Sequence, residues 1–168
     1  RSDRIISPSM ALLERLSVLW NLDEKLVDVI PCPVDIDLFS PAADTFKSTA
    51  EPIILFVGRL SEAKGVRCLI DAASKVLEHF PNAHFHFVGR EAPHPELRGI
   101  TYQAYVAKTN QAHQNNFHFH GVAKQADLPA LYRASILCVV PSIGVESFSL
   151  ACLEAMACGC PLVATRVG

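Results

Sequence analysis

Several common signatures are absent from this 168-residue chain, and each absence removes a class of function. No apolar run approaches the ~20 residues of a membrane-spanning helix. No long basic run occurs, and 15 Lys and Arg stand against 17 Asp and Glu, which argues against a nucleic-acid surface. Neither the dinucleotide fingerprint GxGxxG nor the phosphate-loop pattern GxxxxGK[ST] is present. There is no leader and no initiator Met; the chain opens abruptly on Arg1-Ser2-Asp3-Arg4, as expected of a piece of a longer protein, so the missing leader says little about targeting. Cys158-x-Cys160 is one residue short of the redox spacing and lacks the second pair that would complete a zinc site. Cys68, Cys138 and Cys152 fall in apolar helix or strand patterns, as expected of reduced, packed thiols in a cytosolic protein.

Half of the residues are apolar, which excludes a disordered chain. The length suffices for one domain with a sizeable core, or for one domain plus a piece of another. Residues 4–9 predict a short strand ending in a cap, and 10–20 have helical spacing through Leu12, Leu13, Leu16 and Leu19. A second short strand is expected over 27–30. Pro31, Pro33 and Pro41 then break the pattern, and the aperiodic stretch 32–52 reads as a linker in which Asp35 and Asp37 are turn residues.

From Ile53 onward the pattern becomes alternating strand and helix. Strands are expected over 53–57, 83–88, 117–119, 136–140 and 162–165, and helices over 66–79, 102–113, 128–134 and 148–158. Ser61 is the expected cap of the first of these helices, whose apolar face is Leu69, Ala72, Ala73, Val76 and Leu77. Pro93, Pro95 and Gly99 mark an irregular loop. This order predicts an α/β fold with a doubly wound parallel sheet, incomplete at both ends because no closing helix follows the last strand.

In such a sheet the strands from 53 and from 136 are neighbours where the winding reverses, and the loops after them line one crevice. The first loop carries Gly58 for close backbone approach, Arg59 with a forked donor and Lys64 as a point charge. The second carries Glu146 and leads to a helix start with the amides of Phe148, Ser149 and Leu150 expected to face an anion. Glu154 follows within the helix, where a carboxylate accepts from sugar or ribose hydroxyls. The set suits a diphosphate between two hydroxyl-binding ends; a single phosphate or ordinary solvated charges are the plainer alternative. His84 and His86 alternate along one strand, as do His118 and His120 along the next. Four imidazoles on one face could in principle bind zinc, but local hydrogen bonding is the stronger reading, and no metal is expected.

Gly58-Arg59-Leu60-Ser61-x-x-Lys64-Gly65, Gly89, Phe119-x-Gly121, Pro141-Ser142 and Glu146-x(7)-Glu154-Ala155-Met156-Ala157-x-Gly159-x-Pro161, in that order and spacing, closely resemble the C-terminal, donor-binding domain of retaining glycosyltransferases of the GT-B fold, group 1 or family 4. Ile5-Ile6-Ser7-Pro8-Ser9 and Val29-Ile30-Pro31-Cys32-Pro33-Val34-Asp35-x-x-x-Phe39-x-Pro41 resemble that family's passage out of its N-terminal domain. The resemblance implies three parts: 1–38 as the end of an acceptor domain, 39–52 as interdomain linker, and 53–168 as a nucleotide-sugar-binding Rossmann-like domain truncated at its C-terminal end. It implies transfer of a sugar from a nucleotide-diphosphate sugar to an acceptor hydroxyl with retention of anomeric configuration, with no metal or other cofactor. Arg59 and Lys64 would hold the diphosphate, Glu154 the ribose and Glu146 the transferred sugar near its reacting carbon. Gly58 and Phe148, Ser149 and Leu150 would line the phosphate and sugar pocket, and the loop from Gly121-Val122 would meet the nucleobase.

The acceptor implied is a glycan, a lipid-linked sugar or a small molecule, in a cytoplasmic protein for which peripheral contact with the inner face of a membrane is a family-level expectation. The chain alone is expected to be inactive, because the acceptor site belongs to the N-terminal domain. Ser147 and Ser149 stand where the family usually has Gly or Pro and a Gly, and Cys32-Pro33 where Asn-Gly is common. The two serines favour the alternative, a non-catalytic nucleotide or sugar-phosphate binding module derived from the same fold.

Overall fold

The computed structural model describes residues 3–42, 50–91, 97 and 99–167. Pro93 and Pro95 lie outside the described residues, as does 43–49 of the linker stretch. Two short strands, β1 (Ile5–Ser7) and β2 (Val27–Val29), pair in parallel with α1 (Met10–Trp20) between them. A two-stranded ribbon is marginal by itself. Here Ser9, the N-cap of α1 that accepts from Leu12 N at 3.2 Å, also donates its hydroxyl to the Ser147 carbonyl at 2.7 Å.

The apolar run Ile53–Val57 forms β3, the centre of a five-stranded parallel sheet with β4 (His84–Val88), β5 (Phe117–Phe119), β6 (Leu137–Val140) and β7 (Leu162–Ala164) in the order β5-β4-β3-β6-β7. This is the doubly wound parallel sheet expected from the alternating pattern. Because side chains alternate across a strand, Ile54 and Phe56 enter one core and Leu55 the other. The first core packs under α2 (Val66–His79) and α3 (Tyr102–Thr109), and the second under α4 (Leu128–Ala134) and α5 (Leu150–Ala157). Phe39, at the head of the stretch read as linker, is 1% exposed and stands edge-on to Tyr132 of α4, with ring centroids 6.3 Å apart.

Local details depart from the expectations at five places. Gly65, left-handed at φ 70°, starts α2, while Ser61 opens only a short 3-10 turn over Glu62–Lys64 and makes no side-chain cap bond. Ile70 belongs to the inner face of α2, and Ala72 lies outside. The helix expected over 102–113 breaks at Asn110, a buried residue whose side-chain oxygen accepts from the Ser74 hydroxyl, and a 3-10 turn over Gln111–Asn116 follows. Cys68 is exposed on α2 instead of packed, and all six cysteines are free. The helix expected from Phe148 begins at Leu150, because Ser149 caps it. Among the described residues no helix is long and apolar enough to cross a membrane.

Candidate active site

β3 and β6 are hydrogen-bonded neighbours, Ile54 beside Leu137 and Leu55 beside Cys138. The winding reverses between them, so their C-terminal ends open the crevice where such sheets bind ligands. The two loops touch. A Cβ on Gly65 would stand 1.8 Å from the Pro141 carbonyl oxygen, a position that only glycine fills. The Ala63 carbonyl accepts from Ile143 N and Gly144 N, each at 3.0 Å, and Thr165 donates its hydroxyl to the Ser142 carbonyl at 2.5 Å. Residues 141–149 are thus strapped from both sides and, through Ser9, from the N-terminal ribbon.

That strapping aims Glu146 at Lys64. The Lys64 ammonium stands 2.5 Å from Glu146 Oε2, which also accepts from the Ser142 hydroxyl at 3.0 Å. The Glu146 side chain is 15% exposed and that of Lys64 35%. Glu146 Oε1 has no hydrogen-bond partner among the described residues. Glu146 lines two adjoining cavities, one of about 300 Å³ bordered by Ser9, Ser147, Phe148 and Thr165, the other of about 220 Å³ bordered by Gly58, Lys64, Phe148 and Leu150.

The start of α5 faces the second cavity with Leu150 and Ala151. Phe148 and Ser149 line it too, but precede the helix. Ser149 adopts φ −99° and ψ 101°, ordinary for a residue with a side chain, and its hydroxyl accepts from Cys152 N at 3.4 Å. The serine at a position expected to hold glycine is therefore unstrained and caps the helix.

Glu154 is held differently. The buried Tyr132 hydroxyl donates to Glu154 Oε2 at 2.8 Å, and burial pushes the carboxyl above the usual carboxylate range while that hydrogen bond works the other way. Burial, and then the Glu154 charge, raise the Tyr132 hydroxyl strongly, so it stays a donor. Glu154 does not border either cavity next to Glu146.

Arg59 departs most from expectation. It is exposed and lines a third cavity of about 600 Å³ on the β4 side, with Gly58, Val122 and Leu128, and not the one beside Lys64. Val57 and Gly58 are common to both. Gly121 spends its carbonyl on Gly89 N at 2.7 Å and leaves Val122 at the wall. The sequence reading missed Ser142, Tyr132, Ser9 and Thr165 as supports. Ser142 and Ser9 had a signal, the first in its place beside Pro141 and the second as the cap closing the resembling stretch 5–9.

The histidines form cross-strand pairs, His84 Nδ1 2.9 Å from His118 Nε2 and His86 Nδ1 3.2 Å from His120 Nε2. Burial and then the neighbouring imidazoles lower His86 to about 4. Among the described residues no group of three or more His, Cys, Asp or Glu is placed to hold a metal ion.

Residues 51–168 match the family described as Glycosyl transferases group 1. The chain belongs to this family. The chain is 30% identical over 174 residues to the D-inositol 3-phosphate glycosyltransferase of Segniliparus rotundus, covering 99% of this chain and 38% of that relative. It is 31% identical to sucrose-phosphate synthase from Thermosynechococcus elongatus, with a TM-score of 0.80 over 100% of this chain and 42% of that one. It is 26% identical to Anabaena HepE in complex with UDP and glucose, with a TM-score of 0.78 over 99% of this chain and 45% of that one. The group 1 chain therefore spans less than half the length of these relatives, and its parallel sheet is that of GT-B glycosyltransferases.

Proposed function

We propose that this chain carries the donor half of a retaining, family 4 glycosyltransferase and is inactive alone, with residues 1–38 the end of an acceptor domain and 39–52 the linker. The observation that supports this most is the Lys64–Glu146 pair, a cation and a carboxylate held 2.5 Å apart at the switch point, the carboxylate on the wall of two adjoining cavities and the cation on the wall of one. Glu146 engages Lys64 as an anion would. When the donor enters, its diphosphate takes over Lys64 and is shared with Arg59 and the Leu150 and Ala151 amides, and Glu146 turns to the hydroxyls of the sugar.

The step breaks the bond between the anomeric carbon and the phosphate oxygen and makes one to the acceptor oxygen on the same face. The acceptor proton passes to the departing phosphate. Charge on the leaving nucleoside diphosphate is met by fixed cations and amides in a partly dry cleft, so no metal is required. Glu154, oriented by Tyr132, takes the ribose, and Gly121-Val122 borders the base. The UDP and glucose bound by Anabaena HepE make a uridine nucleotide and a hexose reasonable for this donor. A glycan, lipid-linked sugar or small molecule is the acceptor, in the cytoplasm or at the inner membrane face.

The test is an assay with labelled nucleotide sugar on protein extended to the length of the relatives, following donor hydrolysis and transfer. The product keeps the donor's anomeric configuration by proton NMR, Lys64→Ala lowers kcat/KM about a hundredfold, and the 168-residue chain binds donor without turnover. An inverted product, or full turnover in Lys64→Ala, would overturn the reading. Binding without hydrolysis or transfer by the extended protein would favour the non-catalytic module.

A further inference from the structure

The 600 Å³ cavity on the β4 side has an unusual lining: of nine residues, five are Val, Ala or Leu, two are Gly, and Arg59 and Arg90 alone carry hydrogen-bonding side chains. A guanidinium offers five N–H donors and no acceptor. The side-chain chemistry of this cavity is therefore donor-only, between apolar walls suited to a flat heterocycle.

The backbone under Arg90 is firmly placed. Its carbonyl accepts from Leu60 N at 3.0 Å, and Gly89 before it donates to the Gly121 carbonyl at 2.7 Å. Gly89 sits at φ +151°, where a Cβ would stand 1.8 Å from the Gly58 carbonyl oxygen, so the ends of β3 and β4 are in direct contact and carry the two arginines on one rim. The Arg90 side chain is exposed and makes no hydrogen bond or ion pair with a described residue. The neighbouring Glu91 is committed elsewhere, accepting from Gln103 N at 3.0 Å.

We infer that Arg90 reads the edge of the donor's nucleobase and selects uridine or guanosine diphosphates over adenosine diphosphate. This rests on the donor reading above, in which Arg59 and Lys64 take the diphosphate and Arg90 is left facing the remaining space. Uracil presents O4, and guanine O6 and N7, to such a donor; adenine keeps N7 as an acceptor but presents its amino group where those bases have a carbonyl, so one arm of the fork meets a donor. Donor against donor leaves a hydrogen-bonding group unpaired on both sides, and that penalty is the source of the selection.

Calorimetric titration of the chain with UDP, GDP and ADP tests this, with Arg90→Ala, Arg90→Lys and Arg59→Ala alongside. The wild type favours UDP or GDP over ADP by about tenfold or more, Arg90→Ala removes that preference by weakening only the favoured nucleotide, and Arg90→Lys, which keeps the charge but not the fork, also loses most of it. Arg59→Ala weakens all three together, as a phosphate contact does. Equal weakening of all three by Arg90→Ala makes it a phosphate ligand and overturns the inference, as does no change, or a wild type that prefers ADP or none. A folded wild type that binds no nucleotide removes the donor reading itself, whereas binding without base preference removes only the role of Arg90.

Discussion

The rim between β3 and β6 and the face of β4 and β5 lie on one sheet, and both gather polar side chains, but they use them in opposite ways. On the rim Lys64, Glu146 and Ser142 meet so that each is partly satisfied, and Glu146, on the wall of both cavities, keeps one carboxylate oxygen without a partner among the described residues. On the β4–β5 face His84 pairs with His118 and His86 with His120, ring centroids 5.1 and 4.8 Å apart, so the imidazoles are one another's partners. Clustered polar residues make a binding site only where they border a void and retain unused valences. The imidazole ladder has like groups in contact and is a device of stability.

The largest break in this comparison comes from Gly65. Gly65→Ala puts a methyl into the Pro141 carbonyl at a left-handed φ, and either the 3-10 turn of Glu62–Lys64 or the 141–149 loop must move. We expect a loss of more than about 3 kcal/mol in urea unfolding, and loss of donor binding even where the chain stays folded. Wild-type affinity in a folded Gly65→Ala protein would separate Lys64 from Glu146 as a functional pair.

Much of this contrast was legible in advance, though not all of it. The unbroken run at 53–57 and its alternation with helices carried the winding, and the winding alone made the loops of Lys64 and Glu146 neighbours. Which way a side chain leaves a turn carries no periodic signal, so Arg59 was expected beside Lys64 and lines the opposite cavity. Tyr132 lies 22 residues from Glu154 on a separate helix, and only packing reveals their bond. The start of α5 was placed two residues early because apolar spacing marks a helix body better than its cap, and Ser149 looked like a departure from a pattern when it is the cap itself. Conversely, the i,i+2 histidines showed that imidazoles would share a face, but their pairing needed the register His86 to His118.

A smaller effect sharpens the contrast through acid. His86 in the folded chain sits at about 4, below its ordinary 6.5, because burial and three neighbouring imidazoles disfavour its charge. A lowered folded value means stability that is complete above pH 6.5 and is lost as pH falls toward 4. The ring is only partly buried, so solvent screening leaves about 1–2 kcal/mol of the effect. His86→Gln should flatten the fall in urea midpoint between about pH 7 and pH 4.5, with nucleotide affinity at neutral pH unchanged within about twofold. An equally steep fall in the variant would move the acid sensitivity elsewhere.

The smallest effect tests whether the carboxylate of Glu154, on the helix that follows the rim, is maintained by its partner. Tyr132→Phe removes the one hydroxyl shown to donate to Glu154 and leaves a half-buried carboxylate short of a donor. Burial already raises Glu154, and losing the Tyr132 bond, which pulls the other way, raises it further. A group raised in the folded state stabilises below its ordinary range and loses that contribution as pH climbs through the folded value, so the cost of the variant should appear at neutral pH and fade in acid. We expect about 1 kcal/mol lost at about pH 7.5 and less than half of that at about pH 4.5. If Glu154 takes the ribose, donor affinity at neutral pH falls with it, by about fivefold, because the free carboxylate no longer holds one rotamer. A loss of stability that is the same at both pH values would reduce the Tyr132 hydroxyl to packing, and an unchanged donor affinity would release Glu154 from the ribose. The two readouts are independent, since one follows the proton on Glu154 and the other follows its orientation.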